Sequence, residues 1–131
     1  MTAGESDHGD LIGVWRLRSF HDLDEYGGRL VGPLGEDPDG LLFYSVERHV
    51  SVTMARTDGG RGEGPDYLSY AGTWRREGNL VFHHIRFAPD PDWVGTEQVR
   101  ELTLDRDLLS LTGTGLRTPH PRVLVWQRMN P

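Results

Sequence analysis

At 131 residues the chain is sized for one domain with a single core or one small cavity. Fourteen Lys and Arg stand against 20 Asp and Glu, a net charge of -6. That balance leaves no basic stripe for nucleic acid and no polybasic segment for an anionic membrane surface. With no cysteine, disulfides, thiolate metal sites and a cysteine nucleophile are excluded.

The opening segment, "MTAGESDHGD", has neither a basic nor an apolar block, so residues 1–10 read as a flexible leader rather than a signal peptide. No apolar run is long enough for a membrane span, and a cytoplasmic location is the expectation. From Leu11 onward the hydrophobic period is two, and no window carries a helical stripe. Strands are predicted over 11–20, 29–33, 41–46, 49–56, 67–76, 80–87, 96–104, 108–114 and 122–129. Tight turns are marked by "EYGG", "VERH", "EGN" and "DRD". The longer links are the Gly-rich 57–66 and "APDPDW" at 88–93. Eight or nine strands at this spacing predict an all-β domain over 11–131. The expected architecture is a single antiparallel up-and-down barrel of about eight strands, which removes sheet edges by closing on itself.

Strand faces follow from the hairpins, because a two-residue loop sets the register of the strands it joins. A turn at Gly78-Asn79 sets Trp74 opposite His83 and Tyr70 opposite Phe87. The inward face then holds Leu68, Tyr70, Trp74, His83, Ile85 and Phe87. A turn at Arg106-Asp107 pairs Leu104 with Leu109 and Leu102 with Leu111, which brings Gln98 and Arg100 to the same inward side. A two-residue turn at Glu47-Arg48 puts Phe43, Val50, Val52 and Met54 inside; a slip there brings in Tyr44 and Ser51 instead. Adjacent His83 and His84 point to opposite faces, His83 inward.

A mainly apolar interior with a few placed polar groups has the composition of a small-molecule site. His83, Tyr70 and Arg100 are the candidate catalytic residues. His83 is either a general acid/base or a wall histidine paired with Tyr70 or a carbonyl. Arg100 either binds a carboxylate, enolate or phenolate of a ligand or is held in a structural pair. Gln98 orients a polar ligand atom or steadies Arg100. Trp74, Phe87, Ile85, Met54 and Phe43 are the candidate ligand-binding wall, and Trp93, in the Pro-Asp loop, is a rim residue or a loop anchor. Trp126 reads as core. No metal site and no cofactor are expected: the histidines are not spaced as ligands, the acidic turns lack the order of a calcium loop, and there is no phosphate loop, dinucleotide fingerprint or nucleophile elbow.

Two features resemble a known family. "LIGVWRL" places Gly13-Val14-Trp15 on the first strand, similar to the Gly-x-Trp signature of lipocalins. "LVWQRM" places Arg128 on the last strand, similar to the basic residue that packs across that Trp. The motifs "PLGEDPDGLLFYS", "YLSYAGTW", "HHIRF", "DWVGTEQVREL" and "VLVWQR" follow in order. From Leu11 to Arg128 the chain resembles the bacterial lipocalin-like domain family, small calycin-type β-barrels. One departure is Arg86, where the resemblance implies an acid. The resemblance implies a barrel enclosing a small hydrophobic ligand or substrate, in a monomer or homodimer. Some members lie beside natural-product biosynthesis genes. The interior polar groups therefore raise two readings: a cofactor-independent cyclase, isomerase or dehydratase acting on a polyketide- or terpenoid-like chain, or a non-catalytic carrier of a small apolar ligand.

Overall fold

The computed structural model describes residues 9–59, 65–114 and 121–129. The leader residues 1–8 and half of the Gly-rich link, 60–64, lie outside the described residues, as does His120. Nine strands follow in chain order: β1 (Gly13–Leu23), β2 (Arg29–Val31), β3 (Asp39–Tyr44), β4 (His49–Ala55), β5 (Tyr67–Glu77), β6 (Leu80–Phe87), β7 (Glu97–Asp105), β8 (Leu108–Thr114) and β9 (Pro121–Arg128). Every pairing is antiparallel. Strands β3 to β9 run in sequence and β1 pairs with β9, so the sheet closes into the predicted all-β up-and-down barrel. Eight strands form the wall. The short β2 extends it by pairing with the far half of β1, beside the stretch that pairs with β3.

The two ends of the barrel differ. At one end lie three tight hairpins: 45–48, Gly78-Asn79 and Arg106-Asp107. Each carries a residue in the left-handed region, Arg48 (φ 72°), Gly78 (φ 61°) and Arg106 (φ 57°). The segment before β1 closes this end. Trp15 and Leu11 are fully buried, and the Trp15 indole N–H donates to the Leu11 carbonyl at 3.0 Å. The Arg128 guanidinium lies 4.2 Å from the centre of the Trp15 ring and donates to the Asp10 carbonyl at 2.6 Å. First and last strands are thus locked together by a stacked cation and a carbonyl contact. The longer links gather at the opposite end.

Burial alternates along the strands as the period-two pattern requires: in β4, Val50, Val52 and Met54 face inward. His83 is buried and Trp74 is its cross-strand partner. Two inward assignments are corrected. Phe43 is 43% exposed, while its neighbour Tyr44 is buried. The β3–β4 loop has three residues rather than two: Ser45 pairs with His49, and Arg48 supplies the extra, left-handed position. An odd loop inverts the parity of β3 against β4, so Tyr44 joins Val50 on the inside. Phe87 is 69% exposed. A bulge at Arg86 lets Gly72 pair with Ile85 and Ala71 with Phe87, so Phe87 turns outward. Gly72 makes the bulge possible, because a β-carbon there would lie 1.8 Å from the His84 carbonyl oxygen. Arg86, the departure from the family pattern, is the bulged residue and is exposed.

Two substitutions test this architecture. Trp15→Ala is expected to cost about 3–5 kcal/mol of stability by emptying the closed end. Gly72→Ala is expected to cost about 1–3 kcal/mol, because the bulge must shift to admit a methyl. Urea unfolding midpoints measure both.

Candidate functional site

A cavity of about 430 Å³ opens between the longer links. This lies within the size range of small-molecule sites. Its apolar wall includes Leu42, Val52, Met54, Leu111, Leu124 and Trp126. Tyr70, His83, Gln98, Arg100 and Arg122 supply the polar wall. Pro33, Pro65, Tyr67, Pro89, Asp90 and Trp93 border it from the strand ends and links.

His83 sits at the centre of a hydrogen-bonded cluster. Its Nε2 is 2.6 Å from the Tyr44 hydroxyl and its Nδ1 is 2.6 Å from the Tyr70 hydroxyl. Three strands converge here: β3 supplies Tyr44, β5 Tyr70 and β6 His83. Burial, reinforced by the positive charge of Arg100, pushes the His83 imidazole down to about 3. Burial also pushes the Tyr70 phenol up to about 12, and moves Tyr44 upward as well. At neutral pH all three groups are uncharged.

Arg100 is different. Its guanidinium donates to the Gln98 side-chain carbonyl and to the Val99 carbonyl, the latter at 3.0 Å. Among the described residues no carboxylate pairs with it. Burial pulls its pKa below the ordinary value, but a guanidinium stays protonated in proteins. Gly113 on β8 makes room for it: a β-carbon there would lie 2.8 Å from both Cδ and Nη1 of Arg100. The other cavity arginine, Arg122, is neutralised by Asp22 at 3.0 Å across the β1–β9 seam. The cavity wall therefore carries one half-buried positive charge that no carboxylate among the described residues pairs with.

The sequence-predicted residues separate into three groups. Tyr70, His83, Gln98, Arg100, Met54 and Trp93 line the cavity together. Trp93 ends a 3₁₀ turn, Pro91–Trp93, capped by the Asp90 carboxylate, and its ring meets Tyr70 edge-on at 6.3 Å. Trp74 and Ile85 are buried behind the wall. Trp74 packs against Tyr44 at 4.7 Å and donates to the Ser45 carbonyl, so it supports the tyrosine rather than a ligand. Phe43 and Phe87 lie on the outer surface and cannot touch a ligand in the cavity. Tyr44, which sequence reasoning brought inside only as the slipped alternative to Phe43, belongs to the site, as does Arg122, which sequence reasoning did not place there. Gly72 in mid-strand is the kind of residue that marks a bulge. The left-handed Arg48 carries no comparable signal. Trp126 lines the cavity, and its indole N–H is buried without a hydrogen-bond partner.

Residues 12–65 and 61–129 match the lipocalin-like domain family. The matches span nearly the whole chain, and the protein belongs to that family. A comparison with curated proteins finds no match. Among the described residues no helix is long and apolar enough to cross a membrane. Closed barrel, apolar cavity and family together define a lipocalin-like fold suited to a small hydrophobic ligand.

The buried histidine gives the fold a pH dependence of definite sign. Above about pH 6.5 the His83 side chain is neutral in both folded and unfolded chains. Below that, the unfolded imidazole takes up a proton that the folded one refuses until about pH 3. Stability therefore falls as pH falls through this window, by about 1.4 kcal/mol per pH unit for one proton. His21, lowered by burial and by Arg29, acts in the same direction. Urea midpoints from pH 7 to pH 4.5 are expected to fall steeply in the wild type and less steeply in His83→Phe.

Proposed function

We propose that the barrel takes up a small, mainly apolar molecule bearing one anionic or carbonyl oxygen, and holds that oxygen at Arg100. The observation that carries this reading is the Arg100 guanidinium, on the wall of a mainly apolar cavity and, among the described residues, in no ion pair with a carboxylate. Arg100 is half-buried, and a charge partly withdrawn from water with no ionic partner gains from a ligand anion. Tyr70 and Gln98 flank the same region with neutral polar groups.

The chemistry proposed for such a site is cofactor-independent cyclisation, isomerisation or dehydration of a polyketide- or terpenoid-like chain in natural-product biosynthesis. An enclosing apolar wall holds a flexible chain in a reactive conformer. Arg100 steadies negative charge that develops on an enolate or phenolate oxygen. Tyr70, backed by the neutral His83, orients that oxygen. The proposed setting is a cytoplasmic monomer or homodimer. The second reading is a non-catalytic carrier. It is favoured by the titration of His83 and Tyr70 far to either side of neutrality, which leaves neither poised to exchange a proton at pH 7.

Decanoate and decanol, matched in chain length, separate charge recognition from apolar burial. Calorimetric titration is expected to show decanoate binding the wild type more tightly than decanol. Arg100→Met should lose about 10- to 100-fold in decanoate affinity, the range for a charge-assisted hydrogen bond, with decanol unchanged. Equal loss for both ligands would overturn the anion role. Chromatography with mass spectrometry on linear polyketide-like precursors then separates enzyme from carrier: a new isomeric or dehydrated product supports catalysis, and unchanged precursor with retained binding supports the carrier.

A further inference from the structure

We infer that His83 is held as its Nδ1–H tautomer by Tyr44, so that the Tyr70 hydroxyl is committed to donate into the cavity, toward an acceptor oxygen of the ligand. This rests on the binding site proposed above and specifies what its polar end reads.

A neutral imidazole has one N–H and one bare nitrogen, and both nitrogens of His83 face a phenol at 2.6 Å. Two arrangements satisfy the ring. In one, Tyr70 donates to Nδ1 and the Nε2–H donates to Tyr44. The Tyr44 hydroxyl hydrogen then needs an acceptor of its own. Tyr44 is 2% exposed, and its hydroxyl makes no hydrogen bond except that to His83. It is also absent from the cavity wall, so a ligand oxygen in the cavity does not reach it. That arrangement buries an unsatisfied donor, which native structures avoid. In the other, Tyr44 donates to Nε2 and the Nδ1–H donates to the Tyr70 oxygen. The hydrogen left over is now that of Tyr70, which is half-buried and lines the cavity. The surplus donor is thereby moved from a sealed position to an open one. The neutrality of the ring supports this, since an imidazolium would donate at both ends.

The arrangement is a directed chain: Tyr44 donates to His83, His83 to Tyr70, and Tyr70 to the ligand. Each bond polarises the next and strengthens the final donor. Tyr44 never touches the ligand; it is a positioning residue that sets the direction of the chain. Arg100 lines the same cavity and also only donates. Tyr70 and Arg100 together therefore favour acceptor oxygens (carboxylate, ketone, enolate) over an ammonium group, which brings only donors; Gln98 Oε1 is already engaged by Arg100, and Asp90 stands in the link that borders the cavity.

The test begins with nitrogen-15 NMR of the ligand-free full chain between pH 6 and pH 8, with the His83 ring assigned through its own backbone. The expected spectrum shows a protonated Nδ1 and a bare Nε2 throughout. A protonated Nε2 with a bare Nδ1, an even mixture, or two protonated nitrogens would overturn the assignment. In Tyr44→Phe the exclusive preference should be lost, since Nε2 has no partner in either tautomer; an unchanged Nδ1–H signature would remove Tyr44 from its positioning role. Binding of 2-decanone, a neutral acceptor, is expected to weaken about tenfold in Tyr70→Phe, the scale of one hydrogen bond. Equal affinity overturns the donor role of Tyr70. Decylamine is expected to show no saturable binding, and affinity equal to that of 2-decanone overturns the acceptor-only reading. Failure of decanoate, decanol and 2-decanone alike to bind the wild type would overturn the binding site itself, and the tautomer would still be decided by the spectrum.

Discussion

The pleat of a strand sends successive side chains to opposite faces, and in a closed barrel those faces are cavity and solvent. Everything in this molecule depends on how that parity is carried around the ring. Each hairpin transmits it, and each odd loop or bulge reverses it. The three-residue turn around Arg48 and the bulge at Arg86 are two such reversals. The first brings Tyr44 under the Trp74 ring and against His83. The second releases Phe87 from the interior while Ile85 stays in the core. Without the first, His83 would lose one of its two hydroxyl partners.

The polar cluster is arranged so that desolvation is answered within it. Tyr44, His83 and Tyr70 give up water together and satisfy one another through two short hydrogen bonds. Burial keeps the imidazole neutral and the phenols protonated, so the cluster presents oriented dipoles and no charge. Arg100 is the exception, held by neutral oxygens from Gln98 and Val99 and given space by the missing side chain of Gly113. The cavity thus combines the Arg100 charge, the Asp22-paired Arg122, one surplus hydroxyl donor and a largely apolar wall. Positioned donors in a water-poor space act more strongly than the same groups in water, which suits both tight binding and stabilisation of a developing oxyanion.

The closed end serves a different purpose. Trp15, Leu11 and Arg128 stop the barrel where the strands are joined by tight turns, and the β1–β9 seam runs from this plug to the Asp22–Arg122 ion pair near the open end. Because the plug and the seam hold the wall, the longer links at the other end are free to border the cavity. Pro89, Asp90 and Trp93 come from one of those links, and Trp93 reaches Tyr70.

By itself the sequence determined the strand count, the barrel class, the Trp15–Arg128 contact and the hairpin that sets Trp74 against His83. The strands and the hairpin rest on local signals, period-two patterning and the Gly-Asn and Asp-Arg-Asp turns, whereas the Trp15–Arg128 contact was implied by the resemblance of the motifs at the chain's two ends to the lipocalin signature. The inward placement of Tyr70, His83, Gln98 and Arg100 followed from the same local register and survives in the structure. Only the tertiary structure decided that Tyr44 rather than Phe43 faces inward, that Phe87 is outside, and that Arg122 joins the cavity already paired with Asp22. The physical reason is that one left-handed residue or one bulged residue inverts a whole strand's parity. The choice depends on which register best fills the barrel, a property of all eight strands at once.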